Sequence, residues 1–180
     1  CQAARQLSEQ GANVEVIDSE SVSFGMTFLA AAAARAANNG AGLEEIKQLV
    51  NGMISRIRIL IALDTLEFLR RGGRIGRARA FMGALMRVKP LLSLRDGEVH
   101  PEERVRTKKL AVERLFQIVT SYRVQEVAVG WTTNEEEADE LRQRLAEAMP
   151  GITTHLQRLG PVLGVHGGPG TLGIGVLEGE

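Results

Sequence analysis

Two periods of apolar residues divide this chain into elements, helical spacing in some stretches and alternation or short continuous runs in others. Ala3 to Gln10 reads as the last turns of a helix that Gly11 stops. Val14-Glu15-Val16-Ile17 alternates like a short strand and ends in Asp18-Ser19. Ser21 or Ser23 stands where a cap is needed for a helix running through the alanines to the stop Asn38-Asn39-Gly40. From Gly42 to about Ser55, Leu43, Ile46, Leu49, Val50 and Ile54 share one helical face. Ile57 to Leu63 is apolar on both faces, as a buried strand is.

Thr65 to Arg71 predicts one or two helical turns broken by Gly72-Gly73, and Arg77 to Met86 a short helix. Pro90–Leu94 and Glu98–Arg106 flank Asp96-Gly97, a strong hairpin signal. Thr107 caps a helix from Lys108 to about Arg123, with Leu110, Leu115, Ile118 and Val119 inward. Glu126 to Trp131 is a strand. Thr133 or Asn134 caps a helix with glutamates first and arginines later, the order that the helix dipole favours. Thr153 to Arg158 is extended, Leu163 to His166 reads as a short strand or loop, and Thr171 to Leu177 is a final strand.

The hairpin and final strand predict an α/β (α+β) fold: a mixed or antiparallel sheet flanked by helices. The helix–strand–helix order before it resembles the tail of an α/β domain. A boundary near Arg56 divides the chain into residues 1–56, the remnant of a first domain, and residues 57–180.

Composition narrows the function classes. Of 180 residues 44% are hydrophobic but only 4% aromatic, so the core is aliphatic. Lys and Arg number 22 and Asp and Glu 22, which removes any global field for nucleic acid or an anionic membrane. The lone Cys1 excludes an internal disulfide and a cysteine-rich metal site, and fits a reducing cytoplasm. No run reaches the roughly 18 to 20 apolar residues of a membrane span; Phe28–Ala37 is too short and contains Arg35. No secretory signal pattern is visible, and a chain opening on Cys1 in a helical pattern is expected to be a piece of a longer protein.

Two constellations could carry chemistry. In Gly72-Gly73-Arg74-Ile75-Gly76 the glycines allow close backbone approach, the following helix offers free N–H groups, and Arg74 adds a planar cationic fork for carboxylate or phosphate. The Lys-Ser/Thr pair of a P-loop is absent. In His166-Gly167-Gly168-Pro169-Gly170 a histidine able to donate one hydrogen bond even when neutral sits among glycines. Taken alone, each is better explained by a chain reversal. Asp18, Asp64 and His100 lack metal-ligand spacing, and Ser19, Ser21 and Ser23 lack a nucleophile's partners. Arg104, Arg106, Lys108 and Lys109 read as a solvated face, with partner docking as the alternative.

Taken in order, several motifs resemble the DegV family. They are Val16-Ile17-Asp18-Ser19, Asp64-Thr65-Leu66-Glu67-Phe68-Leu69 leading into Arg71-Gly72-Gly73-Arg74-Ile75, and Val88-Lys89-Pro90-Leu91-Leu92. Val105-Arg106-Thr107-Lys108-Lys109, Gly160-Pro161-Val162-Leu163-Gly164-Val165-His166-Gly167-Gly168-Pro169-Gly170 and Leu172-Gly173 complete the set. The resemblance implies a two-domain protein that holds a long-chain fatty acid in a buried tunnel. It implies the lipid-binding subunit of a bacterial fatty acid kinase, which presents the carboxylate to a separate ATP-using subunit and has no catalytic residue, cofactor or metal of its own.

On this resemblance the head-group residues are Arg74 and His166, with Gly72, Gly73, Gly167 and Gly168 giving backbone approach. Arg106, Lys108 and Lys109 are the expected kinase-docking residues, and membrane contact is at most transient. The family's front portion, with its Ser and Thr contacts to the carboxylate, has no counterpart here. Leu110–Val119 and Phe81–Met86 are core by default and tunnel lining second. An alternative is an enzyme acting on a small phosphorylated or carboxylate substrate through Arg74 and His166, with Asp64 as its nearest acid. A regulatory interaction module acting through the basic strand is the third reading.

Overall fold

A computed structural model of the chain describes residues 2–82 and 88–179. Helix α1 (Gln2–Glu9) is followed by an extended segment, then by α2 (Phe24–Asn38) and α3 (Leu43–Ile54). Strand β1 (Ile57–Ala62) leads to the short α4 (Glu67–Arg71), a 3-10 helix over Gly76–Phe81, and the hairpin β2 (Lys89–Arg95) and β3 (Glu98–Val105). Helix α5 (Lys108–Thr120), β4 (Val124–Trp131), α6 (Glu135–Ala148), β5 (Thr153–Arg158), α7 (Pro161–Gly167) and β6 (Leu172–Glu178) complete the order.

The six strands form one sheet in the order β3-β2-β1-β6-β4-β5. Only β4 and β5 run parallel; every other pair is antiparallel, so the sheet is mixed and flanked by helices, as expected. Strand alternation gives the sheet two unlike faces. On one, Leu60, Leu91, Val127, Val129, Ile174 and Val176 pack against Ala111, Leu115 and Val119 of α5 and Ala138, Leu141 and Leu145 of α6. This is the main core; Leu115, Ile118 and Val119 of α5 face it as the sequence predicts, whereas Leu110, expected inward, is exposed and Ala111 takes the inward place. On the other face Ile57, Ile59, Ala128 and Leu177 meet Phe24, Phe28, Leu29 and Ala32 of α2 and Val50 and Met53 of α3. Helices from the first 56 residues thus cover the sheet directly.

The α2 face is thin because three of its positions are glycines. Gly173 pairs with Gly130 across β6 and β4, and Gly175 lies two residues along β6. The Phe24 ring fills the trough they leave. A Cβ on Gly175 would sit 3.0 Å from Phe24 Cγ and closer still to its Cβ, and one on Gly130 would lie nearer than 2.9 Å to Phe24 Cζ.

Local signals explain the hairpin and two helix starts. Asp96 and Gly97 both have positive φ, 51° and 73°, as a two-residue hairpin turn requires. Thr107 Oγ1 accepts from the Leu110 N–H at 3.2 Å, and Asn134 Oδ1 from the Glu137 N–H at 3.3 Å.

Four further expectations need correction. Val14–Ile17 finds no strand partner among the described residues and stays extended, with Val14 and Val16 exposed. Ser23 holds the N-cap position of α2, but at φ 51° and without a side-chain cap bond. Leu163–His166 lies in helix α7, which starts with Pro161 at N1 and closes with the Gly168 N–H on the Gly164 carbonyl at 2.8 Å. The helix placed over Arg77–Met86 is a 3-10 helix over Gly76–Phe81; residues 83–87 lie outside the described residues. Among the described residues no helix is long and apolar enough to cross a membrane.

Candidate functional site

A cavity of about 530 Å³ opens on the thin face of the sheet. Ile59 and Ile61 of β1, Leu94 of β2, Val99 of β3 and Gly173 of β6 form its floor and one wall, and Phe24 borders it from α2. Leu69 of α4 and Val162 and Leu163 of α7 bring the apolar lining to the corner where α4 meets α7. Arg74, His166, Gly73 and Gly167 all line this cavity. The two side chains singled out from glycine-rich turns 92 residues apart therefore share one space.

The turn at Arg74 is built by helix termination. Gly73 adopts φ 68° just past α4 and donates its N–H to the Arg70 carbonyl at 3.2 Å. The Arg74 N–H reaches the Leu69 carbonyl at 2.9 Å, and this pair of bonds is a Schellman cap. Glycine at 73 is a requirement of that cap. Arg74 is exposed and donates from Nη1 to the Gly72 carbonyl at 3.1 Å. No carboxylate pairs with it among the described residues, whereas Glu98, also in the lining, is engaged by Arg77 at 3.2 Å. The turn leads into a 3-10 helix of 6 residues, which replaces the α-helix whose N-terminus the sequence offers to an anion.

The turn at His166 is held from below. Thr132 Oγ1 and Thr171 Oγ1 donate to the Gly168 carbonyl at 3.0 and 2.8 Å. The Gly170 N–H donates to Thr133 Oγ1 at 3.0 Å, and Lys108 Nζ donates to the Gly170 carbonyl. Gly168 and Gly170 have φ 80° and 74°. A Cβ at Gly168 would lie 2.8 Å from Phe68 Cγ, so this glycine lets α7 close on α4. Gly72 faces His166 itself: a Cβ there would sit 2.6 Å from Cε1 and nearer still to Nδ1. Nδ1 is buried with no hydrogen-bond partner among the described residues.

Gly72 and Gly168, expected to approach a head group, thus serve the packing of α4 and α7 and are not cavity lining. Lys108 is turned inward and also meets Glu137 at 3.5 Å, while Arg106 and Lys109 are exposed. Asp64, the acid that an enzymatic reading draws on, pairs with Lys89 at 2.8 Å and is not among the lining residues. Among the described residues no cluster of His, Cys, Asp and Glu could hold a metal. Sequence reasoning missed Phe24, Ile59, Ile61 and Leu94 as lining, and the glycines of β4 and β6 that admit Phe24.

The sequence profile of the DegV family matches residues 1–179. The chain belongs to the DegV family. It is 36% identical over 165 residues to a DegV domain-containing protein of Streptomyces coelicolor, covering 89% of this chain and 59% of that protein. It is 37% identical over 172 residues to one of Mycobacterium bovis, covering 93% and 61%. This DegV chain therefore spans about three fifths of the length of those relatives. In structure it superposes on a fatty-acid-binding DegV family protein from Thermus thermophilus with a TM-score of 0.85 at 30% identity, covering 98% of this chain and 65% of that one. DegV of Bacillus subtilis, a fatty acid binding protein, gives 0.83 at 31% identity, with 98% and 66% covered. The DegV fold and the mixed six-stranded sheet thus agree across these proteins.

Proposed function

We propose that this DegV-family chain contributes the site of a long-chain fatty acid, with the acyl chain in the cavity and the carboxylate at Arg74 and His166. The observation that carries this reading is that one aliphatic-walled cavity has on its lining a histidine and a cation without a carboxylate partner among the described residues. About 530 Å³ falls in the usual range of small-molecule sites, roughly 300–1,000 Å³. Burial of an acyl chain stabilises a complex by about 0.8 kcal/mol per CH₂, but an unpaired carboxylate taken out of water costs far more. Arg74 can supply the charge and His166 a hydrogen bond. The fatty acids bound by the Thermus and Bacillus proteins support the same ligand class here.

The reading extends to a carrier in the cytoplasm that presents the carboxylate to a separate ATP-using kinase subunit and assigns no catalytic step to this chain. Exposed Arg106 and Lys109 are the docking residues in that reading, with Lys108 holding the turn that carries His166. Mass spectrometry of lipid extracted from native protein tests the ligand. A fatty acid is expected, and palmitate at about 100 times its Kd adds about 2.7 kcal/mol, a Tm rise of about 5–10 °C. Repeated extraction without fatty acid, together with an unchanged Tm, refutes the reading.

A further inference from the structure

We propose that Gly72 fixes His166 as its Nε2–H tautomer, so that the histidine offers the cavity a hydrogen-bond donor and not an acceptor. This rests on the head-group reading and adds the chemical form of one of its two residues. Neutral imidazole carries its proton on one nitrogen only. Nδ1 is sealed: it is buried, has no partner among the described residues, and lies so close to Gly72 that any Cβ there would collide with it. A proton on Nδ1 would point an N–H at the Gly72 methylene with no acceptor, and orphaned buried donors are rarer than orphaned acceptors. Nε2 is not among the buried unpartnered atoms, and His166 lines the cavity. The proton therefore belongs on Nε2. An ionised carboxylate only accepts hydrogen bonds, so a lone pair at Nε2 would repel it and an N–H attracts it.

The same contact makes Gly72 a positioning residue. Any side chain at 72 pushes the ring away from α4, and with it the Nε2–H direction.

Glutamine and asparagine separate the two tautomers, since a Gln side-chain amide reaches the place of Nε2 and an Asn amide that of Nδ1. The experiment measures palmitate binding by His166→Gln, His166→Asn, Gly72→Ala and Arg74→Gln. It adds ring-nitrogen correlation spectra of histidine-labelled chain, with His166 assigned by its loss in His166→Gln. Expected are an unprotonated Nδ1 and protonated Nε2, binding about threefold weaker than the parent for His166→Gln, and binding about tenfold weaker than the parent or worse for His166→Asn and Gly72→Ala. Gly72→Ala should also shift the His166 ring signals while the spectra of His100 and His155 stay in place. A protonated Nδ1 in the parent overturns the proposal, as does an Asn variant that binds as well as the Gln variant. If Arg74→Gln weakens palmitate binding but all His166 variants bind normally, this proposal fails and the head-group reading survives through Arg74. If Arg74→Gln also binds normally, the head-group reading itself fails.

Discussion

Gly175→Ala sets two opposed effects against each other, and the structure says which wins. Gly175 lies in β6 without a positive φ, so alanine is conformationally allowed there. On backbone grounds alone the change should stabilise by about 0.5–1 kcal/mol. Against this, the new Cβ would sit 3.0 and 3.1 Å from Phe24 Cγ and Cδ2, and nearer still to Phe24 Cβ. The nearest obstacle is a Cβ fixed to the backbone of α2, so no flexible side-chain end can swing away. Helix α2 must lift as a unit, an overpacking cost of about 1–3 kcal/mol. Sterics should win by about 1–2 kcal/mol, a fall in Tm of about 2–8 °C for a chain of this size. Gly164→Ala in α7 is the control, because a Cβ there meets nothing within 4 Å and the helix gains up to about 1 kcal/mol. Urea or thermal unfolding of both variants gives the comparison. A Gly175→Ala protein as stable as the parent would refute the trough as the reason for glycine at 175.

Arg74→Ala should leave stability within about 0.5 kcal/mol of the parent, as for an exposed surface change, while palmitate binding measured by calorimetry weakens at least tenfold. Lys108→Met removes the cation from the Gly170 carbonyl and from Glu137, and should cost about 1–3 kcal/mol in urea unfolding. The Glu67 carboxyl is held down at about 2 by hydrogen bonds from Arg70 and then Arg71. Its folded value is lowered, so its contribution is present above the ordinary 4.5 and is lost as pH falls from 4.5 toward about 2; Glu67→Gln should flatten that part of a Tm-against-pH curve. Arg106→Glu combined with Lys109→Glu should lower phosphorylation of bound lipid by an added kinase subunit while extracted lipid content is unchanged; lost lipid would point to a folding role instead.

Residues whose signals act over a few positions were legible in the sequence. Asp96-Gly97 announces its turn because both residues need positive φ, and Thr107 and Asn134 announce helices because each must satisfy an N–H three residues on. Helix α7 was not legible: Val162, Gly164, Val165 and Gly167 are poor helix formers, and only Pro161 at N1 marked its start. Val14–Ile17 shows the reverse error. Alternation identifies a chain able to pair, but pairing needs a partner strand, which no local pattern records. Arg74 and His166 stood out through their glycines and the family pattern, yet those glycines serve mainly to close α4 and to pack α4 against α7. The cavity wall itself was hidden. Ile59, Ile61 and Leu94 read as ordinary buried strand residues, and Gly173 and Phe24, which join them around the cavity, come from parts of the chain distant in sequence.

The place of β6 orders events during synthesis. Strands β1, β2 and β3 form one hydrogen-bonded group and β4 and β5 another, and β6 alone joins them, pairing with β1 on one side and β4 on the other. It is also the last of the six strands to leave the ribosome. Until then the two groups have open edges, and Gly173 and Thr171 of the cavity lining, with the anchoring of the His166 turn, are not in place. A nascent chain arrested before Leu172 should therefore expose two unpaired sheet edges, recruit chaperones that bind such edges and retain no fatty acid, however much lipid is present.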